Sequence, residues 1–216
     1  EWCQDFLARC VEAASQWHEA VAIFTNYCRN DVAKPMLWAS NVKSILLDDY
    51  FRFALDNRGM GMTSSSVMIR RDILQKIGGF PVGMRRGEDL DTWSRVAWAG
   101  AIAFVPQVLV VCYDTTGSVT KTVRSTRPPV DPWACKVWPP DEEISESQQA
   151  GGQALFRLRM RYYVSALLES GDKGAARRHL RKDCSPWPYP ADYLKLWIKS
   201  LLPMALMRQV RKARNV

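Results

Sequence analysis

Apolar positions recur along this chain with two periods, and the switches between them outline its elements. Phe6, Cys10, Ala13, Ala14 and Trp17 fall at helical spacing, which predicts a helix over residues 5 to about 19. Val21, Ala22, Ile23 and Phe24 form an unbroken apolar run of strand length, and residues 29–39, carrying Pro35, read as a loop. Residues 44–55 read as a helix with Ile45, Leu46, Tyr50 and Phe53 turned inward. Residues 63–69 read as a strand that starts with Ser64, Ser65 and Ser66. A short helix follows over 72–77, ended by Gly78 and Gly79 in the manner of a left-handed C-terminal cap. Residues 88–99 predict a helix closed by Gly100. Two short strands, 102–105 and 108–113, are separated by Pro106 and Gln107. Helices and strands alternate throughout this part, which makes it α/β in character.

The pattern changes after that. Pro-rich residues 128–140, with Trp133 and Trp138, predict a linker or strap. Long helical patterns then cover 148–169 and 173–182, with Ser170, Gly171 and Asp172 as the turn between them. Pro186, Pro188 and Pro190 interrupt the chain, and a last helix is expected over 191 to about 214, kinked or broken near Pro203. The expected organisation is an α/β part over 1–127, a Pro-rich linker over 128–147 and a basic helical extension over 148–216.

Composition sharpens this in two places. Of 216 residues 47% are hydrophobic, enough for a folded core. The net charge of +8 is carried by residues 171–216, which hold eleven Lys and Arg against three Asp. The last helix adds an apolar surface of Leu194, Trp197, Ile198, Leu201, Leu202, Ala205 and Leu206, with Lys195, Lys199, Arg208, Arg211, Lys212 and Arg214 around and after it. Residues 191–216 therefore read either as a helix lying on an anionic membrane surface or as a helix packed on its own protein with solvated charges. The tail matches no nucleic-acid-binding motif, so no nucleic-acid partner is expected. Six scattered cysteines without a C-x-x-C pair argue against zinc and against a disulfide framework. The expected location is cytoplasmic, with peripheral contact to the inner face of the membrane as an extension of the tail reading.

Gly87-Glu88-Asp89-Leu90-Asp91-Thr92-Trp93 carries the candidate chemistry. Its three carboxylates open a helix, where N–H groups and the helix dipole favour the ionised form. An ionised carboxylate within reach of a substrate hydroxyl is a candidate general base. The same acids also serve as ordinary first-turn caps, and Asp91 stands at ion-pair spacing from Arg95.

Three segments together resemble the second half of family 2 glycosyltransferases: residues 64–71 (Ser-Ser-Ser-Val-Met-Ile-Arg-Arg), residues 77–80 (Ile-Gly-Gly-Phe) and residues 87–96, which begin with the acidic run. The resemblance implies a GT-A fold and inverting transfer of a sugar from a nucleotide-sugar donor to an acceptor hydroxyl, in surface glycan or glycolipid synthesis, with a sugar or lipid-linked acceptor. It implies Asp89 as the base, with Glu88 orienting the acceptor or the base. Around them Asp91, Trp93, Arg85, Arg86, Ser65 and Gly79 are candidate substrate-binding residues. Each has a plain alternative: ion pairing for Asp91, packing for Trp93, solvation for the arginines, backbone pairing for Ser65, capping for Gly79. A divalent cation, Mg2+ or Mn2+, is implied for the intact enzyme, held by an Asp-x-Asp motif expected upstream of Glu1. On this reading Glu1 and Trp2 follow that motif, and the chain is a partial GT-A (Rossmann-like) domain without its nucleotide-binding half, followed by an α-helical extension. The Gln-x-x-Arg-Trp signature of processive synthases is absent, so a single transfer is expected rather than polymerisation. The competing readings are a non-catalytic membrane- or protein-binding module whose acidic cluster only caps a helix, and a metal-dependent hydrolase using that cluster.

Overall fold

The computed structural model describes residues 1–30, 34–84, 87–113, 115 and 145–203. Two compact units divide them: one holds the described residues up to 115 together with 145–155, the other those from 156 onward.

The first unit is mixed α/β. Its elements are α1 (Phe6–Gln16), β1 (Ala22–Arg29), β2 (Ile45–Leu47), α2 (Tyr50–Asp56), β3 (Val67–Ile69), α3 (Arg71–Lys76), α4 (Glu88–Ala99) and β4 (Ile102–Cys112). Four strands form one open sheet in the order β2-β4-β1-β3. The central pair β1 and β4 runs parallel, while β3 on β1 and β2 on β4 are antiparallel. Central strands covered on both faces are expected to be apolar throughout. Strand β1 is buried from Ala22 to Cys28, as such a strand should be, but it carries two polar residues in that span, Thr25 and Asn26. Phe24 lies at its centre, 4.7 Å from Phe104 and 5.6 Å from Phe53 between ring centroids. The first residues of the chain extend the sheet on the outer half of β4: Cys3 N–H donates to Leu109 O, and Val111 N–H to Glu1 O, each at 2.9 Å.

Four sequence expectations change. The strand expected at 21–24 runs on to Arg29. Residues 44–55 are not one helix. Ile45–Leu47 pairs along β4, and Asp49 then opens α2 by accepting from Phe51 N–H at 2.8 Å and Arg52 N–H at 3.1 Å. Propensity alone did not reveal that an apolar triplet beside a sheet edge is captured by it. Ser64 to Ser66 form a turn, and only Val67–Ile69 joins the sheet. The strands expected on either side of Pro106 are one strand, β4, with the proline in a bulge: Thr25 pairs with Val105 but Asn26 with Val108. A bulge admits proline because its residues need not donate to the ladder.

Asn26 holds that bulge together. It is fully buried. Its Nδ2 donates to the carbonyls of Leu37, Trp38 and Pro106, each at 3.2 Å. Its Oδ1 accepts from Tyr27 N–H at 2.9 Å and Leu37 N–H at 3.0 Å. One side chain thereby satisfies backbone groups from β1, β4 and the segment that follows β1.

Helix α5 (Glu146–Ser170) contributes its first turns to the first unit and the rest to the second, which also holds α6 (Lys173–Lys182) and α7 (Pro190–Leu201). Asp172 caps α6 by accepting from Ala175 N–H at 2.9 Å. Val164, Leu167, Leu168, Ala176, Leu180 and Leu196 form the core of this unit. Buried Arg161 fastens the segment before α7, donating to the carbonyls of Ser185, Trp187 and Tyr189. Helix α7 stops at Leu201, because Pro203 drives the residue before it, Leu202, into extended backbone. The expected continuation to 214 lies outside the described residues, as does the Pro-rich stretch up to residue 144.

Candidate functional site

The candidate site is built where α3 hands over to α4. Helix α3 ends in a paired cap: Gly79 N–H reaches Leu74 O at 2.9 Å and Gly78 N–H reaches Gln75 O at 3.0 Å. Gly78 and Gly79 have positive φ, +80° and +67°, which the reversal of the chain requires. The connection then runs out to fully exposed Val82 and returns through Gly87, also left-handed at φ 83°, whose carbonyl accepts the first helical bond, from Asp91 N–H at 2.9 Å.

Two contacts tie this connection down. Phe80 meets Trp93 edge to face with centroids 5.7 Å apart. Arg95 Nη1 donates to Ile77 O, at the point where the α3 cap begins. Arg95 is itself held by Asp91, with Nε 2.8 Å and Nη2 2.7 Å from Asp91 Oδ2. Thr92 Oγ1 accepts from Arg95 Nη2 at 3.3 Å and donates to Glu88 O at 2.7 Å.

The three carboxylates of the first turn are therefore not equivalent. Asp91 is 2% exposed and spends one oxygen on Arg95. Glu88 and Asp89 are half-buried. Asp89 Oδ1 accepts from Leu90 N–H at 2.8 Å, and Asp89 enters no ion pair among the described residues. Of the remaining candidates, Trp93 is 1% exposed, with its ring packed on Phe80 rather than open to a sugar. Its placement and that of Asp91 fit the structural alternatives of packing and ion pairing. Ser65 is exposed, and its carbonyl accepts from Trp2 Nε1 at 2.7 Å. Gly79 closes the α3 cap, with open space where a side chain would stand. Arg85 and Arg86 lie outside the described residues. The Asp91–Arg95 spacing was visible in the sequence. The bond from Arg95 to Ile77 was not, because it links two helices.

Among the described residues no group of three or more His, Cys, Asp or Glu side chains is placed to hold a metal ion. The acids of α4 do not fit the implied Mg2+ or Mn2+: Asp91 is sequestered by a guanidinium, and oxygen-rich coordination needs several converging ligands.

Comparison with known proteins adds little. No family model and no solved structure matches the chain. An uncharacterized protein of Mycobacterium tuberculosis is 28% identical over 126 residues, 58% of this chain. The match spans 39% of that relative's length. What fold and site define together is a mixed α/β protein with a half-buried acidic pair at the head of a tethered helix.

Proposed function

We propose that this chain is the acceptor-side part of an inverting glycosyltransferase in which Asp89 is the general base. The observation that carries the reading is the division of labour among the acids of α4. Asp91 is committed to Arg95, whereas Asp89 is half-buried in the first turn, outside every ion pair of the described residues. The order of the three sequence segments that resemble family 2 glycosyltransferases supports it. In the proposed step the acceptor hydroxyl gives its proton to the Asp89 carboxylate as its oxygen bonds to the anomeric carbon. The bond from that carbon to the donor diphosphate breaks, and its electron pair leaves with the diphosphate. Glu88 sits beside the base to orient the acceptor. A Mg2+ or Mn2+ ion serving this reaction would draw its ligands from outside the first turn of α4.

One observation favours the non-catalytic reading. The bond from Leu90 N–H to Asp89 Oδ1 is what a purely capping carboxylate makes. Asp89→Asn separates the two, because asparagine keeps an oxygen for Leu90 N–H but is no longer a base. The test is sugar transfer from a panel of nucleotide-sugars by the complete gene product. Loss of a general base lowers the rate by roughly 10²–10⁴-fold. A variant that folds and transfers at the unsubstituted rate overturns the assignment of Asp89.

A further inference from the structure

We propose that the outer face of α7 docks the second unit on an anionic lipid surface. This inference is independent of the glycosyl-transfer reading.

The helix has two unlike faces. Leu196 and Ser200 are buried, and Tyr193 and Trp197 pack on the core of Val164, Leu168, Ala176 and Leu180. That accounts for Trp197, which the sequence pattern groups with the exposed apolar surface. On the opposite side Leu194, Ile198 and Leu201 are 58%, 49% and 68% exposed. At about 100° per residue these three fall within an arc of about 60°. Exposed Lys195 and Lys199 lie along one flank of that arc. Three large aliphatic side chains in a row, left in water while the same helix buries its other face, form a patch rather than scattered exposure.

Charge identifies the occupant. Between residues 156 and 203 there are ten Lys and Arg against four Asp and Glu. Asp192, the one acid on α7, lies 3.2 Å from Lys195, and Lys199 has no acid within one turn of it on the helix. An apolar stripe with cations beside it, on a positively charged unit, matches a bilayer of anionic headgroups over acyl chains. Trp187, 73% exposed, stands in the segment that enters α7, and Arg161 holds its carbonyl and those of Ser185 and Tyr189 on either side. An indole there suits the headgroup region. The contact is peripheral, because no described helix is long and apolar enough to cross a membrane.

The experiment is co-sedimentation of the full chain with two kinds of vesicle, phosphatidylcholine alone and phosphatidylcholine mixed with phosphatidylglycerol. Binding to the mixed vesicles only is expected. Leu194→Ser/Ile198→Ser/Leu201→Ser is expected to lower it by about tenfold or more, since the buried apolar area sets the affinity. Lys195→Ala/Lys199→Ala is expected to lower it severalfold. Leu7→Ser/Val11→Ser, which alters equally exposed side chains of α1, is expected to bind like the unsubstituted chain. If the triple variant loses helical circular dichroism, Leu194→Ser and Leu201→Ser singly replace it, each expected to weaken binding about threefold. The proposal is overturned by no binding to either vesicle, by equal binding to both, by a triple variant that binds undiminished, or by loss in the α1 variant as well. It is also overturned if the unsubstituted chain self-associates through this face, with the triple variant monomeric and vesicle binding unchanged.

Discussion

Asp91 and Arg95 stand one turn apart on α4 and close a buried ion pair, with Arg95 Nη2 2.7 Å from Asp91 Oδ2. The pair does more than join two turns of its own helix. Through Arg95 Nη1 it reaches Ile77 O and fixes the start of the connection that leads to Asp89.

Removing one partner of this pair leaves the other charge buried. Arg95→Met keeps the side-chain stem but strands Asp91, whose Oδ1 already has no hydrogen-bond partner among the described residues. A loss of about 3 kcal/mol in unfolding free energy is expected. Asp89→Asn, in a half-buried position outside the described ion pairs, is expected to change stability by less than about 0.5 kcal/mol. Urea unfolding of the two variants measures both, and equal destabilisation would show that the pair is not what holds the helix start.

Asn26 is expected to be the most sensitive polar position of the sheet. Asn26→Leu removes every bond of its amide at once and leaves the Pro106 carbonyl and the Leu37 N–H buried without it. Each stranded group costs about 1–3 kcal/mol, so a loss of about 3 kcal/mol or more follows. Thr25→Val, one residue away on β1 and equally buried, gives up only a hydroxyl bond to Asn26 O at 3.2 Å and is expected to lose less. Denaturant midpoints of the two variants test the ranking.

The cysteines carry a pH dependence. Burial pushes the Cys10 thiol from 9.0 up to about 11. Burial likewise pushes Cys184 from 9.0 up to about 12, against a smaller downward pull from Arg161. Both folded values exceed the unfolded ones, so the fold favours the protonated thiols. Their contribution to stability is complete below about pH 9 and is lost as pH rises toward 11 and 12. Unfolding followed from about pH 8 to about pH 11 is expected to show this decline, and Cys10→Ala/Cys184→Ala is expected to flatten it. Exposed Cys3 is expected to react with a thiol reagent at neutral pH, while buried Cys10 reacts only on unfolding. Fast labelling that survives Cys3→Ala but disappears with Cys10→Ala would contradict this placement.

Local chemistry along the chain determined much of what the structure displays. The Asp172 cap and the span of α6, the glycine pair that ends α3, the extent of α4 and the Asp91–Arg95 spacing all rest on groups within about one helical turn of each other, which sequence displays directly. Other features needed partners distant in the chain. Ile45–Leu47 became a strand because β4 offered it an edge, 102–112 stayed one strand because β1 accommodated a bulge at Pro106, and Asn26 found its acceptors at Leu37 and Pro106. Tertiary packing also decided which side of α7 is covered, turning Trp197 inward and leaving Leu194 outside, because helical periodicity shows that a face exists but not which neighbour buries it.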